Sequence, residues 1–186
     1  AINQKFFSKR NGFHSISLDF DFSPFGERFV YVELEMVFRN EIQVFSAKTN
    51  RYPLSKANAS LFKDAGSGME LDDFNHELVV SFGTTNLFIY TGCAHKGLLN
   101  ILGSVSLFPS KQIKYVMGGF HLLDSKPKQE FETNAEIEGI AVVLKQKYPQ
   151  TNFITGHCTG EKVYVLLNNQ LEKRLNHFYT GYSISI

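Results

Sequence analysis

The sequence predicts an α/β fold of helices layered on a sheet, and three observations carry that expectation. From residue 96 onward, apolar stretches of helical period alternate with short apolar runs of strand length, the pattern of an α/β layered domain. The stretch 133–147 has both a start signal and an apolar face: Thr133 and Glu136 stand at capping-box spacing, and Ile137, Ile140, Ala141 and Leu144 recur on one side. Three of the apolar runs end in a glycine followed closely by a histidine, at the place where α/β sheets build their ligand crevices.

With 186 residues, 43% of them hydrophobic and 20% charged, the chain is long enough to bury a substantial core. Residues 1–186 are read as a single domain, with 13–60 as a candidate β-rich inserted subdomain. Strands are expected at 15–20, 29–38 and 42–47, with turns at Ser23-Pro24 and Arg39-Asn40. Residues 48–76 hold Asn50, Pro53, Gly66 and Gly68 without clear periodicity, so a long surface connection is expected. LVVSF at 78–82 and LFIYT at 87–91 read as a hairpin turning through 83–86, both strands buried on both faces. Then follow a helix near 96–107, a strand at 112–117, the helix 133–147, a strand at 152–155, a helix near 160–171, and a terminal strand in 177–186 with a break at Gly181.

Lys and Arg total 19 against 18 Asp and Glu, so no basic excess draws the chain to nucleic acid or anionic lipid. No apolar run reaches the length needed to span a bilayer, and AINQKFFSKR at the N-terminus has no apolar signal core. Cys93 and Cys158 each follow a predicted strand beside a histidine, a poor pattern for a disulfide framework and one that suits a reducing compartment. A cytoplasmic protein acting on a small molecule is the expectation.

The chemistry-bearing residues sit at the strand ends. His95 follows Gly92, His121 follows Gly118-Gly119, and His157 follows Gly156. If these strands run parallel and adjacent, the imidazoles converge, and imidazole is the commonest protein ligand for zinc while also serving manganese and iron. The bland alternative is that each histidine orders its own loop through hydrogen bonds to backbone. Cys93 and Cys158 are either soft metal donors or small buried apolar groups, the latter being favoured for Cys158. Lys96 and Thr159 stand where helices open, where free N–H groups favour an anion such as phosphate; the alternative is an exposed Lys96 and a capping Thr159. His14, His76 and His177 read as structural or surface groups. A His76-Glu77 cluster preceded by Asp72-Asp73 could also approach the site, although a solvated turn is the simpler reading.

TGCAHKGLLNIL at 91–102, GGFHL at 118–122 and TGHCTGEKVYVLL at 155–167, with DDFNHEL at 72–78 and FYTG at 178–181, resemble the metallo-β-lactamase-fold family of 7,8-dihydropterin-6-methyl-4-(β-D-ribofuranosyl)aminobenzene 5′-phosphate synthase-like proteins. The resemblance covers most of the chain from Tyr52 onward. It implies part of an αββα sandwich with a divalent metal centre at the sheet edge, where water attacks an ester or related electrophile. It implies His95 and His157 as metal ligands, with Cys93 near the position where the wider superfamily places a bridging aspartate. His121, Lys96 and Thr159 then stand toward substrate.

The family's His-x-His-x-Asp-His motif is absent from this chain, so the resemblance assigns the chain to the C-terminal portion of a longer protein whose upstream segment, or a companion chain, supplies it. The function implied at full length is that of a metal-dependent hydrolase or transferase acting on a phosphate-containing, pterin-related small molecule, with zinc as the first-choice metal and manganese or iron as alternatives. The chain alone is expected to hold metal weakly and to be inactive. The alternatives are a catalytically idle binding module, or a half-domain with an incomplete metal site.

Overall fold

The computed structural model describes residues 4–32, 35–38, 41–105 and 111–185. The chain opens with β1 (Phe6–Ser8) and β2 (His14–Ser15), followed by β3 (Glu35–Phe38) and β4 (Ile42–Phe45). Only the start of the strand expected at 15–20 forms. Ser17 ends it, because its hydroxyl both accepts from Phe6 N and donates to Phe6 O, standing where backbone of a paired strand would continue. A 3-10 turn at Ser23–Arg28 follows, held by the Asp21 carboxylate accepting from Ser23 N. The strand expected at 29–38 is realised over β3, while Arg39 and Asn40 of the expected turn lie outside the described residues.

The long connection expected at 48–76 is not structureless. It contains a 3-10 turn at Lys56–Ser60, then β5 (Leu61–Asp64) and β6 (Met69–Leu71). These join a four-stranded antiparallel sheet ordered β2-β1-β5-β6, in which Phe7 lies opposite Phe62 and Phe62 opposite Leu71. Strands this short are held by pairing across the sequence, which no local periodicity reports.

β7 (Val79–Phe82) and β8 (Asn86–Thr91) form the expected hairpin, with Val79 opposite Thr91 and Phe82 opposite Phe88. Their burial on both faces is corrected: Val79, Ser81, Leu87, Ile89 and Thr91 are buried, whereas Phe82 is 38% and Tyr90 46% exposed. The strands therefore alternate, one face packed and one face open.

Beyond β8 the chain runs through α1 (Leu98–Val105), β9 (Gln112–Gly118), α2 (Asn134–Lys147), β10 (Asn152–Thr155), α3 (Glu161–Leu171) and β11 (Leu175–His177). The end of the first expected helix, at residues 106–107, lies outside the described residues. α2 starts as expected: Thr133 Oγ1 accepts from Glu136 N at 3.3 Å, and the Glu136 carboxylate accepts from Thr133 N at 2.7 Å. Past β11, Phe178 N still donates to Thr155 O, but the segment then turns through Tyr179–Tyr182. Within 178–185 there is no strand, which corrects the terminal strand expected there.

These elements complete a seven-stranded sheet ordered β11-β10-β9-β8-β7-β4-β3. β8 through β11 run parallel, each adjacent to the next. Crossovers of one hand that always step in the same direction must place their helices on the same face. Accordingly Leu98, Ile101 and Leu102 of α1, Ile137, Ala141 and Leu144 of α2, and Val163, Leu167 and Leu171 of α3 share one core with Phe45, Val79, Leu87, Ile89, Val116 and Phe153 of the sheet. On the opposite face Phe82 meets Phe88 and Phe88 meets Tyr115, at ring centroids 6.1 and 6.2 Å apart. Among the described residues, no helix is long and apolar enough to cross a membrane.

Candidate functional site

Because β8, β9 and β10 are parallel neighbours, their C-terminal loops emerge at one edge of the sheet, and these loops carry His95, His121 and His157. The backbone there is tightly packed. A Cβ on Gly118 would lie 2.0 Å from Thr91 O, and one on Gly119 would lie 2.4 Å from Cys158 Sγ, so glycine is what allows the three loops to close on one another. Each loop also holds one non-glycine residue in the left-handed region: Ala94 at φ 60°, His121 at φ 48° and His157 at φ 46°. Such conformations persist where surrounding contacts enforce them.

For His95 the contacts are explicit. Its N–H donates to Glu77 Oε1 at 2.7 Å, and the next N–H, of Lys96, donates to Glu77 Oε2 at 2.8 Å. Its carbonyl accepts from Asn58 Nδ2 at 2.8 Å, and its Nδ1 lies 3.1 Å from Asn58 Oδ1. The ring stacks on Phe74 at 4.4 Å. Burial raises the pKa of the Glu77 carboxyl against the lowering effect of the two N–H donors.

His121 is only 4% exposed, and neither of its ring nitrogens has a hydrogen-bond partner. Its ring lies 3.9 Å from that of His95. Burial first, and then the neighbouring His95, Arg10 and His157 side chains, drive its pKa down to about 3. A buried imidazole with two unused nitrogens is a neutral donor set awaiting a partner. Its backbone is fixed from below by Ser55, whose hydroxyl donates to His121 O at 2.7 Å.

Cys93, His157 and Cys158 bring their ligand atoms within 4.8 Å of one another. His95 is not one of that group, although it touches Cys93: the Cys158 thiol first, then the imidazoles of His95 and His157, pull the Cys93 thiol down to about 4. Cys158 moves the opposite way, raised by its hydrogen bond to Cys93 and by burial, and its Sγ also lies 3.5 Å from Cys93 O. The two thiols are therefore driven in opposite directions by one contact, Cys93 toward the ionised form and Cys158 toward the protonated one. Both cysteines are free.

Two residues singled out from the sequence are otherwise engaged. Lys96, 7% exposed, sends Nζ to Asn75 Oδ1 at 2.8 Å. Thr159 Oγ1 accepts from Phe120 N at 3.1 Å and lies 2.7 Å from Thr155 Oγ1, tying the β9 and β10 loops together. Neither is the exposed lysine or the helix cap of the simpler reading. The cap of α3 comes from Asp124, whose Oδ1 accepts from Lys162 N and Val163 N at 3.1 Å.

Arg10, from the β1–β2 turn, is a residue the sequence reading missed. Its guanidinium reaches Ala57 O at 3.4 Å and lies over Phe131, its Nε is buried without a partner, and its charge acts on His121. Asn58 and Phe74 were likewise missed, since they reach the site only because the small sheet folds over it.

Searched against models of known protein families, the chain matches none. Over 128 residues, 68% of this chain, it is 24% identical to the 7,8-dihydropterin-6-methyl-4-(β-D-ribofuranosyl)-aminobenzene-5′-phosphate synthase of Methanocaldococcus jannaschii. That stretch covers 41% of the synthase, so the chain spans about two fifths of the length of this relative. Among solved structures it is similar to Tm1679, a metal-dependent hydrolase of the β-lactamase superfamily, with a TM-score of 0.77 and 21% identity over 99% of this chain and 68% of that one. The chain thus shares the fold of that β-lactamase-superfamily structure, and the resemblance read from the strand-end motifs agrees with the chain's similarity to the synthase.

Proposed function

We propose that this chain forms the C-terminal portion of a metal-dependent hydrolase or transferase whose substrate is a small molecule carrying phosphate. The observation that carries the reading is the unpaired, buried His121 imidazole beside His95, with the Cys93, His157 and Cys158 donors grouped at the same sheet edge. Orphaned polar atoms within such a core are costly unless a ligand completes them.

The residues fit a divalent cation. His157, Cys93 and Cys158 offer one imidazole and two sulfurs, a set that suits zinc better than manganese, with iron as the alternative. His95 and His121 stand beside that group as further imidazoles. Bound there, a divalent cation supplies Lewis acidity, lowering the pKa of water and offsetting charge that develops on oxygen.

The protein's own groups prepare the rest. Glu77 and Asn58 hold His95 by its backbone and ring, while Phe74 covers one side of that ring and keeps water from it. Arg10 has a buried Nε without a partner and a charge felt by His121, and a guanidinium is the group best shaped to meet a phosphate oxygen. The relative in Methanocaldococcus jannaschii, a synthase of a dihydropterin-linked ribofuranosylaminobenzene 5′-phosphate, agrees with a phosphate-bearing, pterin-related substrate.

Zinc, manganese and iron(II) are each added to the metal-free full-length protein, and hydrolysis of bis(p-nitrophenyl) phosphate is followed alongside bound metal. The expected result is stoichiometric zinc and metal-dependent turnover, both lost in His157→Ala, with KM raised in Arg10→Ala. Full metal content and full rate in His157→Ala and His95→Ala would reduce these residues to structural roles. A full-length protein that binds no metal would favour a catalytically idle binding module.

A further inference from the structure

Beside the histidine loops lies a cavity of about 290 Å³, lined from the helical layer rather than by the donor cluster. Its roof is the strap of residues 52–56, its base the start of α1, and its far wall the first half of α2. Tyr52, Leu54, Leu98, Phe120, Ile140 and Val143 make the lining apolar. Phe120 and Leu122 contribute to the cavity while His121, between them, is withheld from its lining.

The polar groups at its mouth are paired with one exception. Lys56 Nζ is bound to Glu136 at 2.7 Å. Glu132 Oε1 accepts from Lys56 N at 2.6 Å, but Glu132 Oε2 is buried with no hydrogen-bond partner. A carboxylate oxygen kept from water and left unpaired is unfavourable, and a donor brought by a ligand would relieve it. The cavity combines the features of a small-molecule site: concave, mostly apolar, near the lower end of the usual volume range, with few polar groups.

We propose that this cavity binds a small molecule with an apolar body about the size of one aromatic ring and one cationic N–H donor, the donor meeting Glu132 Oε2. The carboxylate sets the sign of the ligand, excluding anions, so the site is distinct in chemistry from the Arg10 side that suits phosphate. It also adjoins the histidines mechanically, because the strap that roofs it carries Ser55, which holds His121 O.

The test is calorimetric and NMR titration of the full chain with benzylamine, and with toluene and phenylacetate as ring-matched controls. Benzylamine should bind at least tenfold more tightly than either control, and excess inorganic phosphate should not displace it. Glu132→Gln should weaken benzylamine about tenfold while leaving toluene unchanged. Ile140→Trp should abolish binding of all three in a protein whose circular dichroism is unaltered; if that variant fails to fold, Val143→Leu should reduce binding in its place. Equal affinity for benzylamine and phenylacetate, displacement by phosphate, no effect of Glu132→Gln, or no binding of benzylamine would each overturn the proposal.

Discussion

The rings of His95 and His121 lie 3.9 Å apart at a tilt of 48°, although one follows β8 and the other β9. Parallel pairing of those strands, with Tyr90 opposite Met117, is what brings the two loops to the same edge. Each imidazole is held by backbone contacts from a different segment, Glu77 and Asn58 for His95 and Ser55 for His121. The small sheet and its strap are thus as much a part of the site as the strand ends.

The buried His121 makes stability depend on pH. Its pKa is lowered in the folded chain to about 3, from the ordinary imidazole value of 6.5, by burial first and then by neighbouring groups. Between those values the unfolded chain binds the proton that the folded chain refuses, so stability falls as pH drops from about 6.5 toward 3. His76, also lowered first by burial, acts in the same direction. Urea midpoints of the metal-free chain should fall between pH 7 and 4, and His121→Phe should flatten that slope; an unchanged slope would show that His121 protonates freely in the fold.

Glu77 should matter to stability out of proportion to its position in a loop. Its two oxygens accept from the consecutive N–H groups of His95 and Lys96, which no other described group replaces in Glu77→Ala. Leaving two partly buried donors unmade costs about 2 kcal/mol, with a matching fall in denaturant midpoint. Glu77→Gln keeps one acceptor and should lose about half as much.

Much of this was legible in the sequence, and what was not has a common physical cause. α2, the β7–β8 hairpin and β10 are local structures, specified by a capping box, a turn and an apolar run. The glycine-then-histidine endings also marked the convergent loops correctly. β1, β5 and β6 are three or four residues long and exist through pairing across the chain, so Arg10, Asn58 and Phe74 could not be placed at the site from their neighbours in sequence. The expected exposure of Lys96 failed for the same reason, since its partner Asn75 is brought in by the turn after β6. Cys158 was read as packing material, and only the folded contact between the β8 and β10 loops sets it beside Cys93.

The open face of the seven-stranded sheet should be adhesive in the isolated chain. Phe82 and Tyr90 are exposed there beside Phe88 and Tyr115, a contiguous apolar patch of the kind that marks an interaction surface. The 186-residue chain should enhance the fluorescence of a hydrophobic dye and self-associate with rising concentration. The double variant Phe82→Ser, Tyr90→Ser should reduce both by severalfold without changing the helix signal, because neither side chain belongs to the helix-side core. Unchanged dye binding would locate the adhesive surface elsewhere.

The donor cluster leads to the most discriminating prediction, because its three members differ in what they should do. The Cys93 thiol is lowered and the Cys158 thiol raised by their mutual contact, so a cation entering between them would displace the thiol proton that Cys158 retains. Zinc binding to the chain should therefore release protons and strengthen as pH rises. Cobalt(II), used as a spectroscopic substitute, should show a sulfur-to-metal absorption band that is lost in Cys93→Ser. His157→Ala should weaken zinc at least tenfold but keep the sulfur band, since both thiols remain. Gly119→Ala provides an independent check away from the donors themselves: its Cβ would fall 2.4 Å from Cys158 Sγ, so Cys158 must move and the band should weaken even though every donor is present. If Cys93→Ser retains the band at full intensity, the metal is held elsewhere and the two cysteines are packing groups; if only Gly119→Ala is silent, Cys158 lies outside the coordination sphere and Cys93 acts with the imidazoles alone.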